Sequence, residues 1–182
     1  MEFDNSFEVP LPPAEAWAVL MDIRRIAPCM PGAELTEVVD PRTYKGKVSV
    51  RLGPVALTFA GVVSFEAVDD VDHTARIKAQ GTDAKGRGGA HAVTSFRLEP
   101  TAEGSMVLLS TDLTLSGAVA QYGRGVGIIQ ATANQIIKQF ADCLKQRLAQ
   151  GPGDPAQAAA KPISGISVLA KAMWEAGRGK KA

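Results

Sequence analysis

From residue 33 to 117 the chain repeats a period of two, and from 118 to 149 it changes to a period near 3.6. That change of period constrains the fold more than any other feature. Along 44–52, Val48, Val50 and Leu52 share one face, with Lys45, Lys47, Ser49 and Arg51 on the other. Gly53-Pro54 then makes a turn, and 55–65 returns with Val55, Leu57, Phe59, Val63 and Phe65 on one side. Beyond the turn at 69–73, Ala75, Ile77 and Ala79 alternate with Arg76, Lys78 and Gln80. Residues 88–98 turn Ala90, Ala92, Phe96 and Leu98 inward, and 105–115 do the same with Val107, Leu109, Leu113 and Leu115. This is the pattern of an antiparallel meander with one wet face and one covered face. The cover is the stretch 118–149, read as one long helix, in which Tyr122, Val126, Ile129, Ala133, Ile136, Ile137, Phe140, Leu144 and Leu148 recur at spacings of three and four.

Ahead of the meander, 2–9 alternate as a half-buried strand, with Phe3, Asn5, Phe7 and Val9 on one side. Pro12 and Pro13 suit the first turn of a short helix carrying Ala16, Trp17 and Leu20 and ending near Asp22. A second helical piece in "IRRIAP" precedes the bend "CMPG" at 29–32. A chain of 182 residues, 46% apolar, buries one core and holds at most a small appendage. Its two cysteines, Cys29 and Cys143, lie far apart in a domain large enough to need no staples. That argues against a disulfide framework and for a reducing compartment, with Cys29 a small apolar residue in a bend.

Strand, two small helices, a strand meander and one long helix make a helix-grip arrangement of the α+β class, a curved antiparallel sheet wrapped around a C-terminal helix. The segments "PAEAWAVLMD" at 13–22, "CMPG" at 29–32, "LGPV" at 52–55 and "KGRGGA" at 85–90 resemble the carbon monoxide dehydrogenase CoxG family, of the START-related (SRPBCC) superfamily of ligand-binding proteins. The resemblance covers residues 1–149. It implies an accessory protein of molybdenum hydroxylases of the carbon monoxide dehydrogenase type, with a quinone-like lipid as the ligand that fits such a role.

The inward set Leu57, Phe59, Ala90, Phe96, Ile129, Ala133 and Ile136 carries no titratable group, and with Pro31 and Gly32 of the bend it forms the candidate ligand-binding set. No catalytic residue is assigned, because catalysis needs positioned acids, bases or nucleophiles. His73 and His91 occur without HExxH, CxxC or His-x-His spacing, so no metal site is expected. The glycine runs "KGRGGA" and "YGRGVG" lack the strand-to-helix context of a phosphate loop. Glycines on a strand and on the helix facing it leave a gap, which either backbone or an apolar ligand fills.

Net charge is +1, against a general nucleic-acid binder, yet the distribution is uneven. Residues 1–160 hold 15 Lys and Arg against 18 acids, whereas 161–182 hold five basic residues against Glu175. A flexible linker is expected at 150–162, and an amphipathic helix at 163–178 with a basic C-terminal tail. Its contact residues would be Ile163, Ile166, Leu169, Met173 and Trp174, with Lys171, Arg178, Lys180 and Lys181. That stripe suits a membrane surface first, and a partner protein's groove or its own domain by the same physics. The start of the chain lacks the basic and apolar regions of a signal peptide, so the expected location is cytoplasmic, peripheral on the inner face of the cell membrane. The preferred reading is a non-enzymatic carrier or adaptor joining a molybdenum hydroxylase to the membrane. An assembly chaperone for such a hydroxylase is the alternative, as is a cyclase or aromatase-like enzyme, for which the inward parity offers only Thr94 and Thr111 as polar groups.

Overall fold

The computed structural model describes residues 1–124 and 126–151. Its sheet contains β1 (Glu2–Val9), β2 (Ala33–Asp40), β3 (Thr43–Leu52), β4 (Val55–Asp69), β5 (Thr74–Asp83), β6 (Gly88–Thr101) and β7 (Gly104–Gly117). The order is β1-β7-β6-β5-β4-β3-β2, every pair antiparallel. Six strands follow the meander, and β1 closes it by pairing with β7 from Glu2↔Asp112 to Val9↔Ser105. Between β1 and β2 lie α1 (Pro13–Met21), α2 (Ile23–Ile26) and a 3₁₀ turn, Ala27–Cys29, with Pro13 at the start of α1, where a missing N–H costs nothing.

The inward face of the sheet is bent around α3 (Val126–Ala149). At one end Phe7, Phe65, Phe96, Leu98 and Val107 meet Trp17 and Leu20 of α1 and Phe140 and Leu144 of α3. Phe7 stands edge-on to Phe140 with ring centroids 5.5 Å apart, and Trp17 tilts against Phe96 at 5.6 Å. Trp17 keeps its indole N–H satisfied by donating to Asp70 at 2.8 Å, so the ring is buried without a stranded donor. At the other end a smaller cluster forms around Leu57, Phe59 and Val119.

The long helix is shorter than its periodicity suggests. Residues Ala118–Arg124 form a 3₁₀ segment, and α3 begins only at Val126. Gly123 in that run lowers helix propensity. The fully buried Val119 also anchors the segment, its N–H donating to Arg87 O at 3.1 Å. Helix α3 closes at Gly151, whose φ of +77° suits a glycine just past a helix end.

The expectation of two separate thiols is corrected. Cys29 and Cys143 form a disulfide, their Cα atoms 5.4 Å apart, across 114 residues of sequence. The helix-grip topology lays α3 over the 3₁₀ turn that ends at Cys29, a proximity that no local pattern encodes. Of the expected linker, only Gln150 and Gly151 are described. The amphipathic helix at 163–178 lies outside the described residues.

Candidate functional site

Three consecutive strands place a glycine at the same level of the inward face. Gly46 pairs with Gly61, Gly61 with Gly81, and Gly81 with Ala90. This row carries no side chain larger than a methyl across four strands. One level along, Val63, Ala79 and Ala92 pair in sequence. The glycines also permit the bend. A Cβ on Gly61 would overlap Gln80 O and come within 2.6 Å of Gly81 Cα, and one on Gly46 would lie 2.6 Å from Glu34 O. Strands approach too closely here for any side chain, as at a barrel corner.

A cavity of about 410 Å³ opens over this row. Its floor is Gly46, Gly61, Gly81, Ala79, Ala90 and Ala92, its walls include Tyr44, Val48, Phe59 and Val63, and its roof is Ile23, Ile26, Ala27 and Met30 with Phe140 of α3. Exposed Glu34, Lys45, Lys47, Val62 and Gln80 complete the strand wall. Among inward-facing lining residues only Tyr44 bears an ionisable group, and its hydroxyl is engaged with Pro41 O at 2.7 Å. The size falls within the ~300–1,000 Å³ of small-molecule cavities, and the chemistry is that of an apolar ligand.

The candidate set distributes unevenly around this space. Phe59 and Ala90 lie on the cavity wall. Leu57 is buried beside Val119, and Phe96 belongs to the cluster on Trp17. On α3, Ile129 is buried and Ala133 and Ile136 are half-buried, while the residue that α3 gives to the wall is Phe140. Pro31 and Gly32 adjoin the lining residues Met30 and Ala33. Gly32 has φ +74°, its carbonyl accepts from Ser49 N at 2.9 Å, and a Cβ there would overlap Ser49 O. The bend therefore clamps the roof segment to β3, and glycine alone fits. Gly46, Gly61 and Gly81 escape the candidate set, although glycine at inward parity in three successive strands is a visible signal.

The expected gap beneath "KGRGGA" is filled by backbone. A Cβ on Gly88 would overlap Ser116 O, and Gly89 N donates to Ser116 Oγ at 3.1 Å. The hairpin is organised by Asp83, whose side chain is fully buried. Asp83 accepts from Arg87 Nε at 2.8 Å, Arg87 Nη2 at 2.9 Å and the amides of Lys85 and Arg87 at 3.1 and 3.3 Å. The Arg87 guanidinium, helped by those two amides, holds the Asp83 carboxyl far below the usual carboxylate range, and the same bond raises Arg87. Arg87 Nη2 reaches on to Ala56 O at 3.1 Å, so one arginine ties two hairpins and the start of the 3₁₀ segment together. Inward Thr94 and Thr111 hydrogen-bond each other at 3.0 Å. His73, with φ +50°, packs 5.5 Å from Trp17. Among the described residues no three His, Cys, Asp or Glu converge on a metal position, and no helix is long and apolar enough to cross a membrane.

A bent antiparallel sheet gripping a C-terminal helix over an apolar cavity defines the helix-grip class. Solved structures share it. A conserved protein from Geobacillus kaustophilus superposes with a TM-score of 0.71 at 18% identity, covering 82% of this chain and 96% of its own. The ZhuI aromatase/cyclase from Streptomyces sp. R1128 gives 0.59 at 15% identity, covering 84% and 98%. A Thermus thermophilus protein gives 0.58 at 16%, covering 83% and 99%. At such identities the likeness is one of fold. No curated protein matches the chain. Within the class, residues 6–149 match the carbon monoxide dehydrogenase CoxG family, and the chain belongs to that family.

Proposed function

We propose that this protein is a non-enzymatic carrier that holds a quinone-like or other apolar lipid in the cavity over the glycine row, and an adaptor that joins a molybdenum hydroxylase of the carbon monoxide dehydrogenase type to the membrane. The observation that carries the reading is the cavity itself, about 410 Å³ in volume, floored by glycine and alanine and roofed by Ile23, Ile26 and Met30. Its inward groups offer no free acid, base or nucleophile, which favours holding a ligand over transforming it. The threonine pair, the other inward polar element, is satisfied internally. The family name supports the partner, and the basic, apolar stripe from Ile163 to Lys181 supports the membrane.

The test is twofold. Native mass spectrometry of the protein isolated from its own membranes should show one bound lipid-soluble molecule. Truncation after Gln150 should leave that complex intact while abolishing sedimentation with anionic vesicles, and high salt should weaken sedimentation of the full-length chain only in part, since screening removes the charge contribution and spares the apolar one. A protein that copurifies with an immature hydroxylase and no lipid supports the assembly-chaperone reading instead.

A further inference from the structure

The roof of the cavity is its least anchored wall. Helix α2 is a single turn with no buried residue, and Ile23, Ile26 and Met30 are only partly buried against the core. At its far end the segment is clamped to β3 through Gly32 and Ser49. Between α1 and that clamp, two links hold it to α3. One is a surface hydrogen bond from Arg147 Nη1 to Arg25 O at 3.3 Å. The other is the Cys29–Cys143 disulfide. Cys29 directly precedes the lining residue Met30, and Cys143 lies one turn beyond Phe140, the α3 residue on the wall.

We propose that this disulfide is a redox latch on the ligand cavity. Oxidised, it pins the roof against α3 and retains the ligand. Two electrons and two protons, delivered by a dithiol that itself ends as a disulfide, convert it to two thiols and leave the roof held by partial burial and the single Arg147 contact. The roof then opens on a timescale of local unfolding, and exchange of the ligand accelerates. The latch rests on the reading of the cavity as the ligand site.

Because a quinone reacts with thiols, the probe is the redox-inert apolar fluorophore N-phenyl-1-naphthylamine. Its dissociation rate from full-length protein is compared for the oxidised form, the dithiothreitol-reduced form and the Cys29→Ser, Cys143→Ser double variant, with circular dichroism confirming that each is folded. Reduction should raise the rate at least tenfold, and the double variant should match the reduced protein and ignore dithiothreitol. Hydrogen exchange supplies a readout independent of the probe, since the amides of Ile26, Met30 and Ala33, bonded within the roof, should exchange faster once the disulfide is gone. Equal dissociation rates, or unchanged exchange at those amides, overturn the latch. Probe binding that survives Ala92→Leu unaltered, while roof exchange still responds to reduction, removes the cavity as the ligand site and leaves a structural staple in place of a latch.

Discussion

Ala92 lies on the cavity floor opposite Ala79, with open space above both, so Ala92→Leu separates an empty cavity from a filled core by the sign of its effect. The substitution adds three carbons. At about 0.8 kcal/mol for each buried methylene, complete burial would stabilise the fold by at most about 2.4 kcal/mol. Incomplete burial and lost rotamer freedom bring the expectation to about 0.5–2 kcal/mol, the ordinary yield of filling a cavity. In a close-packed interior the same change would cost about 1–3 kcal/mol through displaced neighbours. Urea denaturation followed by tryptophan fluorescence measures the difference directly, Trp17 being buried in the core. The variant should be at least as stable as the parent and should lose N-phenyl-1-naphthylamine binding. A loss of more than about 1 kcal/mol with binding retained would refute the assignment of this space as an open ligand cavity.

Gly61→Ala should behave in the opposite way: its new methyl meets β5 backbone, which cannot rotate aside, so a loss of about 1–3 kcal/mol or more is expected in the same urea assay. Asp83→Asn should lower the melting temperature at neutral pH. The depressed Asp83 carboxyl contributes stability above the unfolded value near 4 and loses it as pH falls further, so the gap between variant and parent should close below about pH 4 in a pH series of thermal melts. Opening the disulfide removes a closed loop of 114 residues, for which chain entropy sets a loss approaching about 4.7 kcal/mol; urea midpoints with and without reductant check it, and no change would show the thiols are unpaired in solution.

How much was legible can be followed through particular residues. Alternation placed Leu57, Phe59, Phe96 and Val107 on the covered face because a strand turns successive side chains to opposite sides, whatever its partner. The two small helices, the turn at Gly53-Pro54 and the glycine-rich hairpin after Asp83 were likewise local. The cavity was legible only in part. Phe59 and Ala90 could be named, whereas the roof from Ile23 to Met30 belongs to a segment whose neighbours are fixed by how the sheet bends.

Within each element, then, sequence alone determined period, facing and ends, since these follow from backbone geometry over a few residues. Tertiary structure decided three things that depend on pairs far apart in the chain. Gly46, Gly61, Gly81 and Ala90 became one row through the register of four strands, and only that alignment makes an empty floor from four small residues. Asp83 became a buried anion because Arg87, Lys85 and their amides converge on it when the hairpin closes. Cys29 met Cys143 because α3 crosses the 3₁₀ turn, a contact set by packing of the sheet on the helix and invisible to any pattern shorter than the 114 residues between them.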